Sequence, residues 1–448
     1  MTKKVLVLTV GGSPQPLIYS IKQKDFRPDL VYFIHSQDTK KVVDDIIGNI
    51  PYEFEYKCAE VEDAESLEKS YKKATEVIKE LLKEGYQIRV DYTGGTKVMT
   101  AGLVLASTSI DKNIEQVYVG SKAVEGSRDK EGVGRVITGL EKIKPQDNPY
   151  ETYAFLEFTR GKNFFNTYQY ESAIRNFEEA ESKLEDKPLV ELSEFYRKLV
   201  DFYQSWDKFN RRIKTDEGKI KLEYYLDNEI IKKCPKEFYN DIKNPEEFIR
   251  HLENNLKFLR LKFNKDVGVG IKYYLPDLLN NAYRKIEEGY YDDAVARLYR
   301  SIELIGQLEL NKLGIIDQEK LKSNKVFYIN RKQFMVETMD HEDIRYELEK
   351  WNNKGYDDKE KTFKLPLYKT YHLLKLFDNK LAREYFADRE LENAVKSERN
   401  NSILAHGLKP LDKETALNFY EKVLSYAIRA YPNIEEYMEL SKFPKFEI

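Results

Sequence analysis

An arginine and a histidine near the C-terminus have the types and the spacing for phosphodiester chemistry. The segment 397–407 reads SERNNSILAHG, so Arg399 and His406 are 406 − 399 = 7 positions apart. On a helix this spacing is about two turns, or roughly 10 Å of rise along one face, so both side chains can reach one ligand. Histidine transfers protons near neutral pH, and a guanidinium stabilises the charge of a phosphorane. The pair, with Asn400 as an orienting group, predicts attack of a ribose 2′-hydroxyl on the adjacent phosphorus.

The same residues have a simpler interpretation. A single histidine on a helix is often a packing or surface residue, and a short pattern of this kind also arises by chance. None of the other four histidines has an arginine upstream at a comparable spacing. Gly407 and Pro410 are typical of a helix end, which would place the pair at an exposed terminus.

Two glycine-containing loops follow apolar strand-like segments in the N-terminal third. The first reads Val-Gly-Gly-Ser-Pro over 10–14, and the second reads Asp-Tyr-Thr-Gly-Gly-Thr-Lys-Val-Met over 91–99. In a parallel sheet such loops emerge at the carboxyl edge, where glycines allow close approach and helix N-termini bind phosphates. A third edge position, after the second strand, contains His35 and Ser36. The candidate ligand contacts are Gly11, Gly12, Ser13, Ser36, Thr93, Gly94, Gly95, Thr96 and Lys97.

Other nucleotide-binding motifs fit these loops poorly. The order Gly-Gly-Thr-Lys over 94–97 differs from the Gly-Lys-Ser/Thr of a P-loop, and Gly11-Gly12 does not extend to Gly-x-Gly-x-x-Gly. Nucleoside-triphosphate hydrolysis and dinucleotide redox binding are therefore disfavoured. The glycines can also be explained as tight turns without any ligand.

The elements that must position these residues change character along the chain. Up to about residue 140, short β-branched runs alternate with amphipathic stretches, which predicts an α/β, Rossmann-like domain with a mostly parallel sheet. The strands are expected over 4–10, 30–35, 52–57, 87–92, 116–120 and 133–138. Two prolines within 140–150 indicate a boundary, and helical periodicity dominates beyond it. We expect domains at 1–145 and 276–448, with a helical connecting region at 146–275.

Composition restricts the possible partners and the compartment. The 448 residues have a formal net charge of −3, so any RNA contact must be local. Cys58 and Cys234 are the only cysteines, too few for a disulfide framework or a four-ligand zinc site, which suits a reducing cytoplasm. No cysteine or carboxylate cluster has metal-ligand spacing, and no apolar run approaches the length of about 20 residues that a membrane helix needs. The expectation is therefore no metal, no cofactor and no membrane association.

The two N-terminal loops resemble a known ligand-binding domain. The Gly-Gly-Ser-Pro segment after the first strand, together with the segment DYTGGTKVMT over 91–100, resembles the ligand-binding segments of CARF domains. CARF domains are CRISPR-associated Rossmann folds that sense cyclic oligoadenylates. The resemblance implies that the N-terminal domain binds such a ligand.

The C-terminal motif resembles the catalytic motif of HEPN ribonucleases. The resemblance rests on Arg399-x6-His406 with Asn400 after the arginine, and on the helix-like segment 289–307, GYYDDAVARLYRSIELIGQ. Within that segment we interpret Arg297, Arg300 and Glu303 as an intrahelical ion-pair ladder. A CARF sensor joined to a HEPN domain is the pattern of the ancillary ribonucleases of type III CRISPR systems.

That pattern implies a homodimer that cleaves single-stranded RNA and is switched on by a cyclic oligoadenylate. An even-membered ring, cyclic tetraadenylate or hexaadenylate, is expected because it can lie on a two-fold axis. Two alternatives remain: a non-catalytic regulator whose helical module binds RNA, DNA or protein, and a sensor domain that degrades its own ligand with Ser13, Thr96 and Lys97.

Overall fold

The chain divides into two compact units. Unit 1 comprises Met1–Leu156 with Ser182–Glu185, and unit 2 comprises Glu157–Glu181 with Asp186–Ile448. The structure of the protein is a computed structural model. It describes residues 3–122, 136–216, 218–337, 342, 344, 346, 362–401 and 410–447, and within these ranges the side chains of 336, 337, 363 and 396–401 are not described.

A six-stranded sheet forms the centre of unit 1. The strand order is β3-β2-β1-β4-β5-β6, with every pairing parallel except that of β5 with β6. The strands are β1 (Lys4–Thr9), β2 (Leu30–His35), β3 (Glu55–Glu60), β4 (Gln87–Asp91), β5 (Glu115–Ser121) and β6 (Glu141–Gln146). The predicted α/β, mostly parallel architecture is confirmed.

Both faces of this sheet are covered, because its central strands are apolar at consecutive positions. In β1, Val5 and Val7 enter one buried cluster, whereas Leu6 and Leu8 enter the other. Residues of α3 and α4 complete the first cluster, and residues of α1 and α2 complete the second. The helices of unit 1 are α1 (Gln15–Ile21), α2 (Lys40–Gly48), α3 (Leu67–Lys83), α4 (Lys97–Ile110) and α5 (Pro149–Thr152).

The two edge strands differ from the sequence expectation. β3 begins at Glu55 instead of Tyr52, and most of its residues are exposed, so no apolar alternation marks its bounds. The strand predicted over 133–138 lies partly outside the described residues. The last strand of the sheet is instead β6, which contains Pro145 and is mostly exposed, as is typical of an edge.

Unit 2 is predominantly helical. Its largest buried cluster contains residues of α13, α14, α17 and α20, and the Tyr371 hydroxyl donates to the carbonyl of Ile302 at 2.9 Å. The helices from residue 155 onward are α6 (Phe155–Asn166), α7 (Tyr170–Lys183), α8 (Lys187–Asp207), α9 (Leu222–Tyr225), α10 (Phe238–Asp241), α11 (Pro245–Lys262), α12 (Val267–Gly270), α13 (Tyr274–Glu287), α14 (Tyr291–Lys312), α15 (Gln318–Asn324), α16 (Arg331–Glu337), α17 (Leu367–Leu376), α18 (Lys380–Ala387), α19 (Arg389–Asn401), α20 (Lys413–Ala430) and α21 (Ile434–Leu440).

Short strand pairs interrupt this helical region. An antiparallel hairpin joins β7 (Arg212–Thr215) to β8 (Gly218–Lys221), and β9 (Ile329–Asn330) pairs with β10 (Thr362–Phe363). These pairs are too short for a period-two pattern to be visible in the sequence. Among the helices that the structure describes, none has the length and apolar character that a bilayer crossing requires.

Candidate functional site

The two glycine loops of unit 1 leave the sheet side by side. β1 and β4 are parallel neighbours in the sheet, and Leu8 of β1 lies opposite Asp91 of β4. Both strands therefore end at the same edge of the sheet. The first loop leads into α1 and the second into α4. The sequence-based placement of both loops at the carboxyl edge is therefore confirmed, and we call residues 10–14 and 92–97 together the edge loops.

Close packing between the edge loops explains three of their glycines. A Cβ atom on Gly11 would lie 2.6 Å from the backbone nitrogen of Gly95, and one on Gly94 would lie 2.5 Å from the carbonyl oxygen of Thr9. Gly95 also has φ of +94°, a conformation that favours glycine. Gly12, in contrast, is exposed and has no atom within 4 Å of its added Cβ. Gly12 is therefore the edge-loop glycine with open space for a ligand.

Two threonine hydroxyls of the second loop serve the fold. Thr93 donates to Asp91 at 2.5 Å and accepts from the backbone N–H of Val119 at 2.7 Å. Thr96 accepts from the N–H of Met99 at 3.1 Å, which caps α4, and donates to the carbonyl of Ala64 at 2.6 Å. Both residues shape the loop, and a ligand would have to share these hydroxyls with the protein.

Lys97 differs from these threonines. It is the first residue of α4, its side chain is exposed, and it forms no ion pair with any residue that the structure describes. A cation at this position stands beside the free N–H groups of a helix start, so both features favour an anion. Ser13 lies half-buried at the start of the other loop, just before α1.

The third edge position is used mainly for structure. Ser36 and Thr39 form a reciprocal cap around a 3₁₀ turn, in which the Ser36 N–H donates to the Thr39 hydroxyl at 3.0 Å. His35 is only 4% exposed, and its Nδ1 lies 2.9 Å from the carbonyl oxygen of Ser36. A ligand at this edge would meet the half-buried Ser36 more readily than His35.

Asp91 is a buried acid at this edge whose importance the sequence did not reveal. Its side chain is fully buried beneath the second loop and accepts from the Thr93 N–H at 2.8 Å. Burial raises the pKa of Asp91, and hydrogen bonds from Ser20 and Thr93 oppose that rise only in part. Its position at the end of a predicted strand was the available signal, but its burial depends on α1 covering that face.

The predicted catalytic residues fall at the limit of what the structure describes. The backbone of Arg399 and Asn400 belongs to α19, while their side chains and all of His406 lie outside the described residues. The Arg-His geometry therefore stays a prediction. The ladder interpretation of α14 is confirmed for its arginines: Arg297 pairs with Asp293 at 2.9 Å, and Arg300 pairs with Glu303 at 3.2 Å.

The described part of the chain contains no group of three or more His, Cys, Asp or Glu side chains that could hold a metal ion. Cys58 and Cys234 are both free thiols.

Comparison with known proteins gives one family match. Residues 264–430 match the family model described as the Csm6 HEPN domain, and this range includes Arg399 and His406. A search of curated proteins found no match.

Several solved structures are similar to this chain at low sequence identity, and three of them follow. Csm6 of Enterococcus italicus bound to cyclic hexa-2′-fluoro-hexa-dAMP is 14% identical, with a TM-score of 0.48, and the alignment covers 98% of this chain and 100% of that one. A type III CRISPR defence DNA nuclease activated by cyclic oligoadenylate is 13% identical over 47% of this chain and 34% of that one, with a TM-score of 0.23. Can2 from Sulfobacillus thermosulfidooxidans in complex with cyclic tetra-adenylate is 12% identical over 46% and 65%, with a TM-score of 0.22.

Proposed function

We propose that this protein is an endoribonuclease of type III CRISPR defence, activated by a cyclic oligoadenylate and cleaving single-stranded RNA. The observation that carries the proposal is the match of residues 264–430 to the HEPN domain of Csm6, because the Arg-x6-His motif falls inside the matched range. The proposed arrangement is a sensor domain at 1–145, a helical connecting region at 146–275 and a ribonuclease domain at 276–448.

The proposed chemistry needs only side chains within the matched residues 264–430. His406 transfers the proton during attack of the ribose 2′-hydroxyl, Arg399 stabilises the phosphorane, and Asn400 orients the scissile phosphate. The reaction breaks the bond from phosphorus to the 5′-oxygen and leaves a 2′,3′-cyclic phosphate. Since the nucleophile is within the substrate, the mechanism requires no metal-bound water.

The proposed activator site is formed by the edge loops. An oligoadenylate ring offers phosphates, for which the exposed Lys97 and the start of α4 are suited, and Gly12 leaves open space beside the first loop. The remaining proposed contacts are Ser13, Ser36, Thr93, Gly94, Gly95 and Thr96. Gly11 packs against Gly95 and so supports the second loop. The protein is proposed to act as a cytoplasmic homodimer, since two copies supply both Arg-His pairs.

A fluorogenic RNA assay with a panel of cyclic oligoadenylates tests this function. We expect cleavage only with one class of ring, and a loss of orders of magnitude in His406→Ala and Arg399→Ala while ligand binding persists. Cleavage is expected to continue in excess EDTA. A folded variant that cleaves like the parent would refute the catalytic assignment, and cleavage that needs Mg²⁺ and yields 5′-phosphates would refute the mechanism.

A further inference from the structure

In unit 2, three basic side chains lie close to one aromatic ring, that of Phe263. One of them, the buried Lys262, has its Nζ 5.3 Å from the ring centroid. The guanidinium carbon of Arg211 lies 5.5 Å from the ring centroid of Phe263, and the Nζ of Lys325 lies 5.6 Å from that same centroid. Lys325 also stands 4.7 Å from the ring centroid of Tyr274 and contacts the hydroxyl of that tyrosine. We call Arg211, Phe263, Tyr274 and Lys325 together the cation cluster.

No acid in the part of the chain that the structure describes pairs with the cations of this cluster. The nearby acid, Asp277, is paired with Lys262 inside the protein, where both side chains are 1% exposed. Neither Arg211 nor Lys325 forms an ion pair with any residue in the described ranges. Burial, together with the charges of Arg211 and Lys262, lowers the pKa of Lys325 to about 8. Among the described residues, the cluster therefore has more positive than negative charge, which an anion would relieve.

The backbone at Lys325 is also unfavourable. This residue ends α15 in the left-handed conformation, with φ of 58° and ψ of 30°, where glycine or asparagine is usual. A lysine here combines backbone strain with a half-buried amine among like charges. Among the described residues, the Lys325 amine donates to the Tyr274 hydroxyl, and this single side-chain hydrogen bond offsets the two unfavourable features only in part. Strain that accumulates at one residue is typical of a binding position.

We propose that the cation cluster, whose residues are not part of the catalytic motif, binds a phosphodiester of single-stranded RNA. The inference rests on the proposed function, in which RNA is the substrate. A guanidinium recognises two phosphate oxygens at once and an ammonium adds a point charge, so Arg211 and Lys325 together offer both kinds of donor to a phosphate. The half-buried rings of Phe263 and Tyr274 hold these cations in place, so that less side-chain freedom is lost when a phosphate binds. Because the chain as a whole is slightly acidic, such local clusters must supply the attraction.

Equilibrium binding tests the site without any need for cleavage. The full-length His406→Ala protein is titrated with fluorescein-labelled single-stranded RNA, with and without cyclic tetraadenylate, and the tighter condition is used. We expect Arg211→Gln and Lys325→Gln each to weaken binding about tenfold, as befits a lost charged hydrogen bond. Each should reduce the slope of log affinity against log salt by about 0.7.

Matched controls come from nearby positions in the chain. Lys219→Gln in the β7–β8 hairpin and Lys322→Gln in α15 remove exposed charges that have no ion-pair partner among the described side chains. They should change the affinity by about twofold or less, because screening weakens distant charges. An equal loss of RNA affinity in all four variants would show only general electrostatic attraction and would overturn the proposed site. An affinity equal to that of the parent in Arg211→Gln and Lys325→Gln would also overturn it.

Two further measurements separate the remaining outcomes. Lys325→Gly relieves the backbone strain, so it should keep or raise the melting temperature while it weakens RNA binding. A fall in both the melting temperature and the RNA affinity would show that Lys325 has a purely structural role. Full displacement of RNA by micromolar inorganic phosphate would show a site for a free anion and contradict the proposal. If the parent binds RNA through this cluster but no cyclic oligoadenylate induces cleavage, the proposed function fails and the binding site stands.

Discussion

Thr96 and Lys97 are adjacent at the start of α4, but only Thr96 is held by the fold. We expect Lys97→Ala to shift activation to higher ligand concentration with an unchanged free energy of unfolding, because the lysine has no described ion-pair partner. Thr96→Ala should also lower the free energy of unfolding by about 1 kcal/mol, since it removes the helix cap. Activation curves and denaturant titrations measure the two effects, with Thr96→Ser as the variant that keeps the cap. Unchanged activation in Lys97→Ala would remove this lysine from the proposed ligand site.

Glycines that look equivalent in the sequence differ in what they face. Gly11→Ala should lower the free energy of unfolding by roughly 1–3 kcal/mol, because its Cβ would meet the Gly95 backbone at 2.6 Å. Gly12→Val should leave stability nearly unchanged and weaken the binding of cyclic tetraadenylate, measured by titration calorimetry. If Gly12→Val binds that ligand like the parent, the open space beside Gly12 is not part of the proposed site.

These two positions show what a sequence can reveal at the residue scale. Strand-like runs followed by glycines were enough to select both edge loops. They could not show that Gly11 packs against Gly95, because that contact depends on β1 and β4 being neighbours. Likewise, nothing in the sequence distinguishes the structural hydroxyls of Thr93 and Thr96 from the exposed side chain of Lys97.

At the scale of elements, the sequence predicted the bounds correctly where an element has a clear pattern of apolar residues. The bounds of β2 match the expectation, because every residue of this strand is buried and the apolar run is clear in the sequence. The polar edge strands β3 and β6 were misplaced, since their positions depend on hydrogen bonding to a neighbour and not on burial. Two glycines do not disrupt the 267–270 segment, which forms the helical turn α12, with Gly270 packed closely on the Lys262 carbonyl.

An ion network joins α8 to α13 and should control the acid stability of unit 2. Asp207 accepts from Arg284 at 2.8 Å and from Asn281 at 2.7 Å, and it pairs with Lys285 at 3.2 Å. Its side chain is 8% exposed and that of Arg284 is 4% exposed. Burial alone would raise the pKa of Asp207, but Arg284 and Lys285 outweigh it, so the pKa lies below its usual value.

This network predicts a pH-dependent stability. A carboxyl with a lowered folded-state pKa adds stability that is complete above its unfolded value of about 3.9 and is lost as pH falls through the folded pKa. Asp207→Asn should cost about 3–5 kcal/mol at neutral pH, because it leaves Arg284 buried without its anion. The deficit should shrink as pH falls below about 4. Urea titrations from neutral to acidic pH measure it, with the exposed Asp216→Asn as control; a deficit that is constant with pH would contradict this role for Asp207.

At the scale of the whole molecule, the sequence separated an α/β part from a helical part but could not show how the helical part is assembled. Phe446 packs against Phe165 with ring centroids 5.0 Å apart, and Phe443 packs against Trp206 at 4.9 Å. The last residues of the chain therefore share a core with α6 and α8. Helical periodicity identifies a buried face, but it does not identify the partner of that face.

The ring size of the activator is a property of the proposed dimer. A two-fold axis presents the 94–97 loop of each subunit in an equivalent position, and a ring of four or six nucleotides can match both copies. A ring of three or five would leave one loop with unpaired donors, at about 1–3 kcal/mol for each buried group. We therefore expect one even-membered ring per dimer, and favour four nucleotides because a smaller ring needs less separation between the loops. Calorimetric titration of each ring size decides this: a cyclic triadenylate that binds as tightly as the even rings, or one ring per subunit, would contradict a shared two-fold site.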